Sequence, residues 1–208
     1  MGNGACEVYR VIRSERGDIE VKRRCDAASI RSYKLAQGFG YFINPVMGVE
    51  PLAKAAERGD YVAIATHEDE IVGFLVAYQW TLEGLPSKIA FEDVYDIATE
   101  VSRKWRRHGI GSTLLEATVT DPFFDDKVLL IRGNPDYWDC YGDECRVYAM
   151  FIMEVPVMKY GFEKLPVSLP GDLFTLVKIG PKSRVTKDEL TSLILRLTRS
   201  IESEFYPF

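Results

Sequence analysis

Alternating apolar and polar positions predict several strands along the chain. IEVKRR, residues 19–24, is the first clear one, and CEVYRVIR before it pairs with it across SERGD. Residues 61–66 and 71–78 flank the turn HEDE and read as a hairpin. Further strands are predicted over residues 93–101, 127–132 and 173–180. KVLLIR, apolar on both faces, is typical of a central strand.

Helical spacing alternates with these strands. It predicts helices from Asp26 to Gly38, over residues 50–59 and over residues 109–120. In the tail, Thr186 and Glu189 are spaced as a capping box, and an amphipathic helix follows. We expect its apolar face to pack on its own domain, with a contact in a homodimer as the alternative.

Composition and charge narrow the class of protein. The chain has 208 residues, 47% of them apolar and 27% charged, which is typical of a globular protein with a sizeable core. A net charge of −5 argues against a general electrostatic grip on nucleic acid, although RKWRRH is a local basic patch. No segment is long and apolar enough to span a bilayer, and the start lacks a signal-peptide core, so we expect a cytoplasmic protein without a membrane partner.

The cysteines and histidines predict no metal site. Four cysteines without a C-x-x-C pair, together with two histidines, do not form a zinc pattern. Cys140 and Cys145 flank the acidic stretch DCYGDEC and would be the pair to consider for a disulfide or a soft metal. We expect the cysteines to be buried or unreactive free thiols without a catalytic or metal-binding role.

The stretch WRRHGIG lies where a strand leads into a helix. The first N–H groups of a helix lack intrahelical partners and carry partial positive charge, so such a turn can bind an anion. Glycines at positions 109 and 111 leave no Cβ between those amides and a phosphate, and the neighbouring cations add charge. The spacing fits neither the P-loop nor the dinucleotide fingerprint. A basic turn without a ligand is the alternative interpretation.

VSRKWRRHGIGSTLL, residues 101–115, resembles the acyl-CoA-binding motif of the GCN5-related N-acetyltransferase (GNAT) superfamily. The family pattern is Arg or Gln, two residues, Gly, any residue, then Gly or Ala, and Arg106, Gly109 and Gly111 match it. The resemblance implies an α/β fold with a mixed, mostly antiparallel central sheet flanked by helices. Residues 1–180 would form the acyltransferase domain, and residues 181–208 a helical extension.

The resemblance also implies how acetyl-CoA is held as co-substrate. The backbone of residues 99–101 would pair with the pantetheine arm, and amides of residues 106–112 would hold the pyrophosphate. The cofactor-binding residues implied in this way are Thr99, Val101, Arg103, Arg106, Arg107, His108, Gly109, Ile110, Gly111, Ser112 and Asn134.

The family's general acid is a Tyr four positions before a Gly-Phe pair, and the sequence departs from that pattern. Val157 occupies the place before Gly161. The family's Asn-to-Tyr spacing, counted from Asn134, reaches Tyr141 instead. Tyr141 is therefore the prediction, and Tyr148 and Tyr160 remain rival candidates.

Acidic residues on the predicted strand 93–101 indicate a cationic acceptor. Asp96 and Glu100 fall on one face unless a bulge intervenes, and either can recruit an amine and take its proton. The resemblance implies an N-acetyltransferase that moves acetyl to a primary amine by direct attack, without a metal; the acceptor is a small amine, a lysine or a protein N-terminus. An inactive acyl-CoA-binding sensor or scaffold is the alternative. An aromatic loop at residues 39–47 would shape the acceptor site.

Overall fold

The computed structural model describes residues 6–40, 42–79, 93–134 and 153–205, with side chains to residue 198. The chain divides into two compact units. Unit 1 comprises Met1–Gln79 and Ile97–Asp121, and unit 2 comprises Trp80–Asp96 and Pro122–Phe208. Each unit therefore draws on two separate stretches of the sequence.

Unit 1 is built on a mostly antiparallel group of strands. Its strands are β1 (Glu7–Ser14), β2 (Gly17–Arg23), β3 (Lys34–Leu35), β4 (Tyr61–His67) and β5 (Glu70–Gln79). They lie in the order β1, β2, β4, β5, with β3 parallel to β5. The next strand in the sheet order is β6 (Val94–Val101), which contributes its residues from Ile97 onward to this unit. The two predicted hairpins are confirmed.

The first helix is shorter than the sequence predicts. Asp26 caps α1 (Ala27–Arg31) by accepting a 2.7 Å hydrogen bond from the Ser29 amide, but the helix ends at Arg31. Beyond it, Lys34 N donates to Asp69 O and Ala36 N to Ile71 O. Backbone pairing with β5 therefore overrides the helical spacing, and the predicted helix to Gly38 is wrong over its second half.

The other helices of unit 1 are α2 (Glu50–Glu57) and α3 (Ile110–Val119), as predicted. The beginning of α3 lies directly over β5 because position 73 has no side chain. A Cβ at Gly73 would lie 2.8 Å from Ile110 Cγ2, and 3.4 Å from Leu114 Cδ1. This close approach fixes the start of α3 against the sheet.

Unit 2 contains a second group of strands. They are Val94–Asp96 of β6, β7 (Val128–Arg132), β8 (Glu163–Lys164) and β9 (Thr175–Ile179). β6 is parallel to β7, and the order continues antiparallel through β9 to β8. The parallel ladder of β6 and β7 runs from Val94↔Val128 to Asp96↔Leu130. The predicted mixed, mostly antiparallel sheet is confirmed.

Two helices belong to unit 2: α4, residues 153–160, and α5, Lys187–Phe205. The capping box is present, since Thr186 N donates to Glu189 Oε2 at 2.8 Å and Glu189 N to Thr186 Oγ1 at 3.2 Å. The apolar face of α5 packs on the strands of the same unit. The core there contains Leu190, Leu193, Ile194 and Leu197 together with Val94, Val128, Leu130, Leu165, Leu169 and Val177.

The cysteine expectation is wrong for one pair. Cys6 and Cys25 form a disulfide, because the β1–β2 hairpin brings its two ends together with 4.2 Å between the Cα atoms. Cys140 and Cys145, the pair singled out in the sequence, lie outside the described residues. Among the residues described, no helix is long and apolar enough to cross a membrane.

Candidate active site

The turn from β6 to α3 adopts an unusual backbone path. A 3-10 helix, Arg103–Trp105, follows β6, and then Arg107 and Gly109 take left-handed φ values of 67° and 76°. Gly109 is the N-cap of α3, and no side chain of the described residues caps that helix. The first amides of α3 therefore face an opening that an external acceptor can fill.

Trp105 anchors this turn in unit 1. Its side chain is buried, with its ring 4.7 Å from that of His67 and the Arg16 guanidinium 5.8 Å from its centroid. His108 Nδ1 lies 2.9 Å from Arg106 O and 3.2 Å from Trp105 O. Because both neighbours are carbonyl oxygens, Nδ1 carries the proton and donates. The turn is thus held from beneath by packing and by its own hydrogen bonds.

The first turn of α3 presents small residues. Ser112 Oγ and Thr113 Oγ1 both donate to Gly109 O, at 2.8 and 2.9 Å, while Ile110 is buried beneath. A Cβ at Gly109 would meet only Ser112 Oγ, 3.9 Å away, and one at Gly111 would meet only Val101 Cγ2 at 3.7 Å. Neither glycine places a side chain among the first amides of α3, so the residues present are compatible with a pyrophosphate.

Cations surround this opening. Arg103, Lys104 and Arg107 are exposed, and Arg106 is half-buried, with its Nε donating to Val101 O at 3.2 Å. On β6, Thr99 is exposed and its Oγ1 donates to Phe74 O at 2.9 Å. The structure thus brings together, within unit 1, all the predicted cofactor-binding residues except Asn134. We call this set of residues, 99–112, the anion cradle.

Glu100 holds the aromatic loop. Its carboxylate is 6% exposed and accepts hydrogen bonds from Gly40 N at 2.9 Å and Phe42 N at 3.1 Å. Gly38 O accepts from Arg103 N, and Ser102 Oγ donates to Gln37 O at 2.6 Å. The loop predicted to shape the acceptor site is therefore fixed by β6 and by the residues that begin the anion cradle.

Asp96 has a different set of neighbours, in unit 2. Its carboxylate is 2% exposed and accepts a 2.6 Å hydrogen bond from Arg132 Nε. On the other side of Arg132, Nη1 lies 3.6 Å from Oδ2 of Asp172. One guanidinium thus stands between two buried carboxylates at the end of the β6–β7 ladder.

Asp172 has an altered acidity. Burial raises the pKa of its carboxyl above the ordinary value, and the negative charge of Asp96 adds to that change. The positive charge of Arg132 and a side-chain hydrogen bond from Asn134 oppose it. Asn134 lies nearby, since a Cβ at Gly171 would be 3.8 Å from its Nδ2. Asp172 could not be predicted as a site residue, because the loop GDLF in which it lies matches no known motif.

The candidate tyrosines are only partly described. Tyr141 and Tyr148 lie outside the described residues. Tyr160, at the end of α4, is half-buried, and its carbonyl accepts a hydrogen bond from Lys178 Nζ at 2.7 Å. Val157 is 39% exposed. Tyr141 therefore stays a prediction.

A second buried carboxylate was also missed. The Asp121 side chain, just after α3, is fully buried in unit 1. Arg24 binds it through both Nε and Nη2, and the Tyr61 hydroxyl donates to it at 3.0 Å. Burial raises the pKa of the Tyr61 phenol, so this hydroxyl keeps its proton. Asp121 thus ties β4 to the end of α3, while Arg23 Nε, 3.7 Å from Asp121 Oδ2, has no hydrogen-bond partner among the described residues.

With this geometry in place, comparison with known proteins gives the family. Residues 24–123 match the model of the acetyltransferase (GNAT) family. The stretch so matched, just under half of the 208 residues, is GNAT acetyltransferase sequence. The matched stretch contains the anion cradle, and the resemblance found in the sequence is confirmed. No curated protein sequence matches the chain.

One solved structure shares the fold of this chain, and two acetyltransferases with bound acetyl-CoA resemble it less. The acetoin utilization protein from Exiguobacterium sibiricum 255-15 has a TM-score of 0.74 and 20% identity, over 99% of this chain and 100% of that one. A phosphinothricin acetyltransferase from Sinorhizobium meliloti, solved with acetyl-CoA, has a TM-score of 0.43 and 14% identity over 66% and 70%. A putative acetyltransferase from Salmonella typhimurium, also solved with acetyl-CoA, has a TM-score of 0.42 and 12% identity, over 66% of this chain and 76% of that one. The first likeness confirms the GNAT-like α/β fold.

Proposed function

We propose that this protein transfers the acetyl group of acetyl-CoA to a primary amine by direct attack. The observation that carries the proposal is the uncapped start of α3, which lies behind a left-handed Gly109 and among four cations. This arrangement suits a pyrophosphate, because backbone amides and guanidinium groups both donate to phosphate oxygens. The acceptor is a small amine, a lysine side chain or a protein N-terminus.

Acetyl-CoA, when bound, supplies the reactive thioester. The anion cradle would hold the pyrophosphate, and the backbone of Thr99 to Val101 would pair with the pantetheine arm. Asn134 would assist at the end of β7. Each of these roles concerns binding and orientation, which convert a bimolecular reaction into one between positioned groups.

The chemical step needs an acceptor for the ammonium proton and a donor for the leaving thiolate. Asp96, buried beside Arg132, would recruit the cationic acceptor. Glu100 would act mainly by holding the aromatic loop, since its oxygens already accept the Gly40 and Phe42 amides. Tyr141 is the proposed proton donor to the thiolate.

Calorimetric titration of acetyl-CoA tests the proposal with a matched pair of variants. Gly109→Glu places a carboxylate in the anion cradle. Gly59→Glu makes the same change at a glycine that also has a left-handed φ, of 88°, and open space around it. Both variants carry similar backbone strain, so only the cradle distinguishes them.

We expect wild type and Gly59→Glu to bind acetyl-CoA alike and Gly109→Glu to lose binding. Absence of binding by the wild type would refute the acetyltransferase proposal. Binding that persists without turnover on small amines, lysine peptides and protein N-termini would favour an inactive acyl-CoA sensor or scaffold, the alternative that Val157 at the family's Tyr position supports.

A further inference from the structure

The first strand of unit 1, β1, has no buried side chain. None of its eight residues, Glu7–Ser14, all of which are described, is buried. Val8 and Val11 are 53% and 46% exposed. The neighbouring strand β2 differs, because its Ile19 and Val21 are fully buried. Burial of apolar side chains therefore holds β2 in the unit but contributes little to the attachment of β1.

The other contacts of β1 lie at an edge and near solvent. β1 is the outermost strand in the sheet order, and its ladder with β2 is interrupted between Val8 and Arg10. Glu7 pairs with Arg23 at 2.6 Å, and Arg10 with Glu116 of α3 at 2.7 Å. The side chains of Glu7 and Arg10 are about half exposed, and ion pairs in contact with water contribute little to stability. A strand held in this way can open locally while the rest of the unit stays folded.

The disulfide between Cys6 and Cys25 ties this strand to a firmly held point. Cys25 is 4% exposed, and its backbone N donates to Val62 O at 3.0 Å. Arg24, directly before it, binds Asp121 through both Nε and Nη2. Cys6, by contrast, directly precedes β1 and is only half-buried. The disulfide therefore restrains the one end of β1 that little else fixes.

We propose that Cys6 and Cys25 form a site of reversible thiol modification, at which a dithiol reduces the disulfide and β1 then leaves the sheet while the rest of unit 1 stays folded. With the disulfide closed, the opened hairpin is still a loop joined at both ends, so opening gains little chain entropy. Reduction removes this restraint. For cysteines 19 positions apart, the restraint is equivalent to about a hundredfold in the opening equilibrium. This switch lies outside the proposed function and does not depend on it.

The thiol–disulfide exchange is balanced. One thiolate of the dithiol attacks Sγ of Cys6, the less buried of the two cysteines, and Cys25 leaves as a thiolate that takes up a proton. The second thiol of the reductant then attacks the mixed disulfide and releases Cys6 in the same way. Two electrons and two protons pass to the cysteine pair, and the dithiol becomes a cyclic disulfide.

Release of β1 has two consequences within unit 1. The edge of β2 that pairs with β1 over Gly17–Arg23 loses its partner, so its backbone N–H and C=O groups become available to another strand. Glu116 of α3 loses the guanidinium of Arg10 and the hydroxyl of Tyr9, both of which donate to it. The redox state of one cysteine pair therefore sets which strand forms this edge of the sheet.

Amide hydrogen exchange in the wild-type protein tests the release. The protein is followed by NMR in its oxidised form, after reduction with dithiothreitol, and after reoxidation with the cyclic disulfide of the same reagent. In the reduced form, we expect the protected amides of β1 to exchange at least about tenfold faster and those of β4 to change by less than about twofold. Reoxidation should restore the slow exchange.

Two results would overturn the inference. Equal exchange of β1 in the oxidised and reduced forms would show that the disulfide does not hold the strand. Equal acceleration of β1 and β4 would show that reduction opens the whole unit and releases no single strand.

Trypsin gives an independent readout, because Arg10 and Arg13 lie in β1. The protein is reduced, its thiols are blocked with iodoacetamide, and the reagents are removed before digestion. We expect cleavage after both arginines to be at least about tenfold faster than in the oxidised protein, since cleavage follows the population of the open form.

Two serine variants assign the effect to this cysteine pair. Cys6→Ser lacks the disulfide and should be cleaved rapidly with or without prior reduction. Cys140→Ser changes a cysteine elsewhere in the chain and should keep the redox response of the wild type. If Cys6→Ser still responds to dithiothreitol as the wild type does, other cysteines cause the response and the proposed site is refuted.

Discussion

At the scale of single residues, the anion cradle contains strain that the rest of unit 1 holds in place. Arg107 has a φ of 67°, a conformation that costs a non-glycine residue of the order of 1–3 kcal/mol. His108, the next residue, donates to the carbonyls of Trp105 and Arg106, which precede Arg107. Glycine would adopt this φ without strain but has no charge. The presence of an exposed Arg at this position fits a binding role for Arg107.

The pH dependence of stability tests the buried Asp172. Its raised pKa means that the folded state holds the proton more tightly than the unfolded chain, where Asp titrates near about 3.9. The stabilisation is complete below that pH and is lost as the pH rises through the folded-state value. Asparagine cannot ionise, so Asp172→Asn should become increasingly more stable than wild type as the pH rises. Urea unfolding at a series of pH values from about 3.9 upward measures the difference.

Asp126 provides a control of opposite sign. Lys127 lowers the pKa of its carboxyl, so the wild type gains stability as the pH rises from that lowered pKa to the unfolded value of about 3.9, and keeps it at higher pH. Asp126→Asn should therefore lose stability relative to wild type, by a small amount because the pair is exposed. A stability difference for Asp172→Asn that does not vary with pH would show that Asp172 does not titrate as described.

The residues of the anion cradle are easier to place from the sequence than the group of Asp96, Arg132 and Asp172. The motif residues from Arg106 to Ser112 are contiguous, so their local spacing is enough to place them at the start of a helix. Asp172 becomes relevant only through Arg132, which is 40 positions away in the chain. Contacts of this kind depend on the pairing of β7 with β9, and no local pattern reveals them.

At the scale of elements, the position of α3 depends on a glycine in the neighbouring strand. Ile110, the first residue of α3, rests directly over Gly73 of β5. The start of the helix, and with it the anion cradle, is therefore placed by the sheet beneath it.

Gly73→Ala should disturb both stability and binding. Its Cβ would lie 2.8 Å from Ile110 Cγ2, so α3 must shift, and overpacking of this kind costs about 1–3 kcal/mol. Urea unfolding measures the cost, and calorimetry the weaker acetyl-CoA binding. Gly40→Ala adds the same methyl group where no atom lies within 4 Å, and should change stability by less than about 0.5 kcal/mol. If Gly73→Ala loses stability but binds acetyl-CoA normally, the cradle does not depend on this contact.

Most elements could be predicted because their patterns are local, and the exception shows the limit. Residues after Arg31 continue the helical spacing, yet Lys34 and Ala36 bond to the backbone at Asp69 and Ile71. Hydrogen bonds to a strand more than 30 positions away compete with helix formation, and the sequence contains no local sign of them. Backbone pairing with β5, and not the local helical spacing, therefore determines the conformation of residues 34–36.

At the scale of the whole molecule, α5 is part of the core of unit 2. Leu190, Leu193, Ile194 and Leu197 are each at most 1% exposed. Burying such side chains contributes about 1.5–3 kcal/mol each, so together they match a large share of the 5–15 kcal/mol that stabilises a typical domain. A division of the chain at residue 180 thus separates regions that share one core.

A pair of leucines on α5 tests that contribution. Leu193→Ala should lower the free energy of unfolding by about 3–5 kcal/mol, because it leaves a cavity in a closed core. Leu195 is 41% exposed on the same helix, and its replacement by Ala should cost less than about 1 kcal/mol. Denaturant midpoints of the two variants give the comparison, and similar losses would contradict the packing of this helix.

The interleaving of the two units along the chain has a consequence for synthesis on the ribosome. Unit 1 has all its residues once Asp121 has been made, although the Trp80–Asp96 stretch within it belongs to unit 2. Unit 2 lacks part of its core until Leu197 has emerged. Val94 therefore lacks its contacts with the leucines of α5 until the end of translation, whereas unit 1 can fold earlier. A nascent chain stalled between these two points should present a protected β4–β5 hairpin and protease-sensitive residues after Asp121.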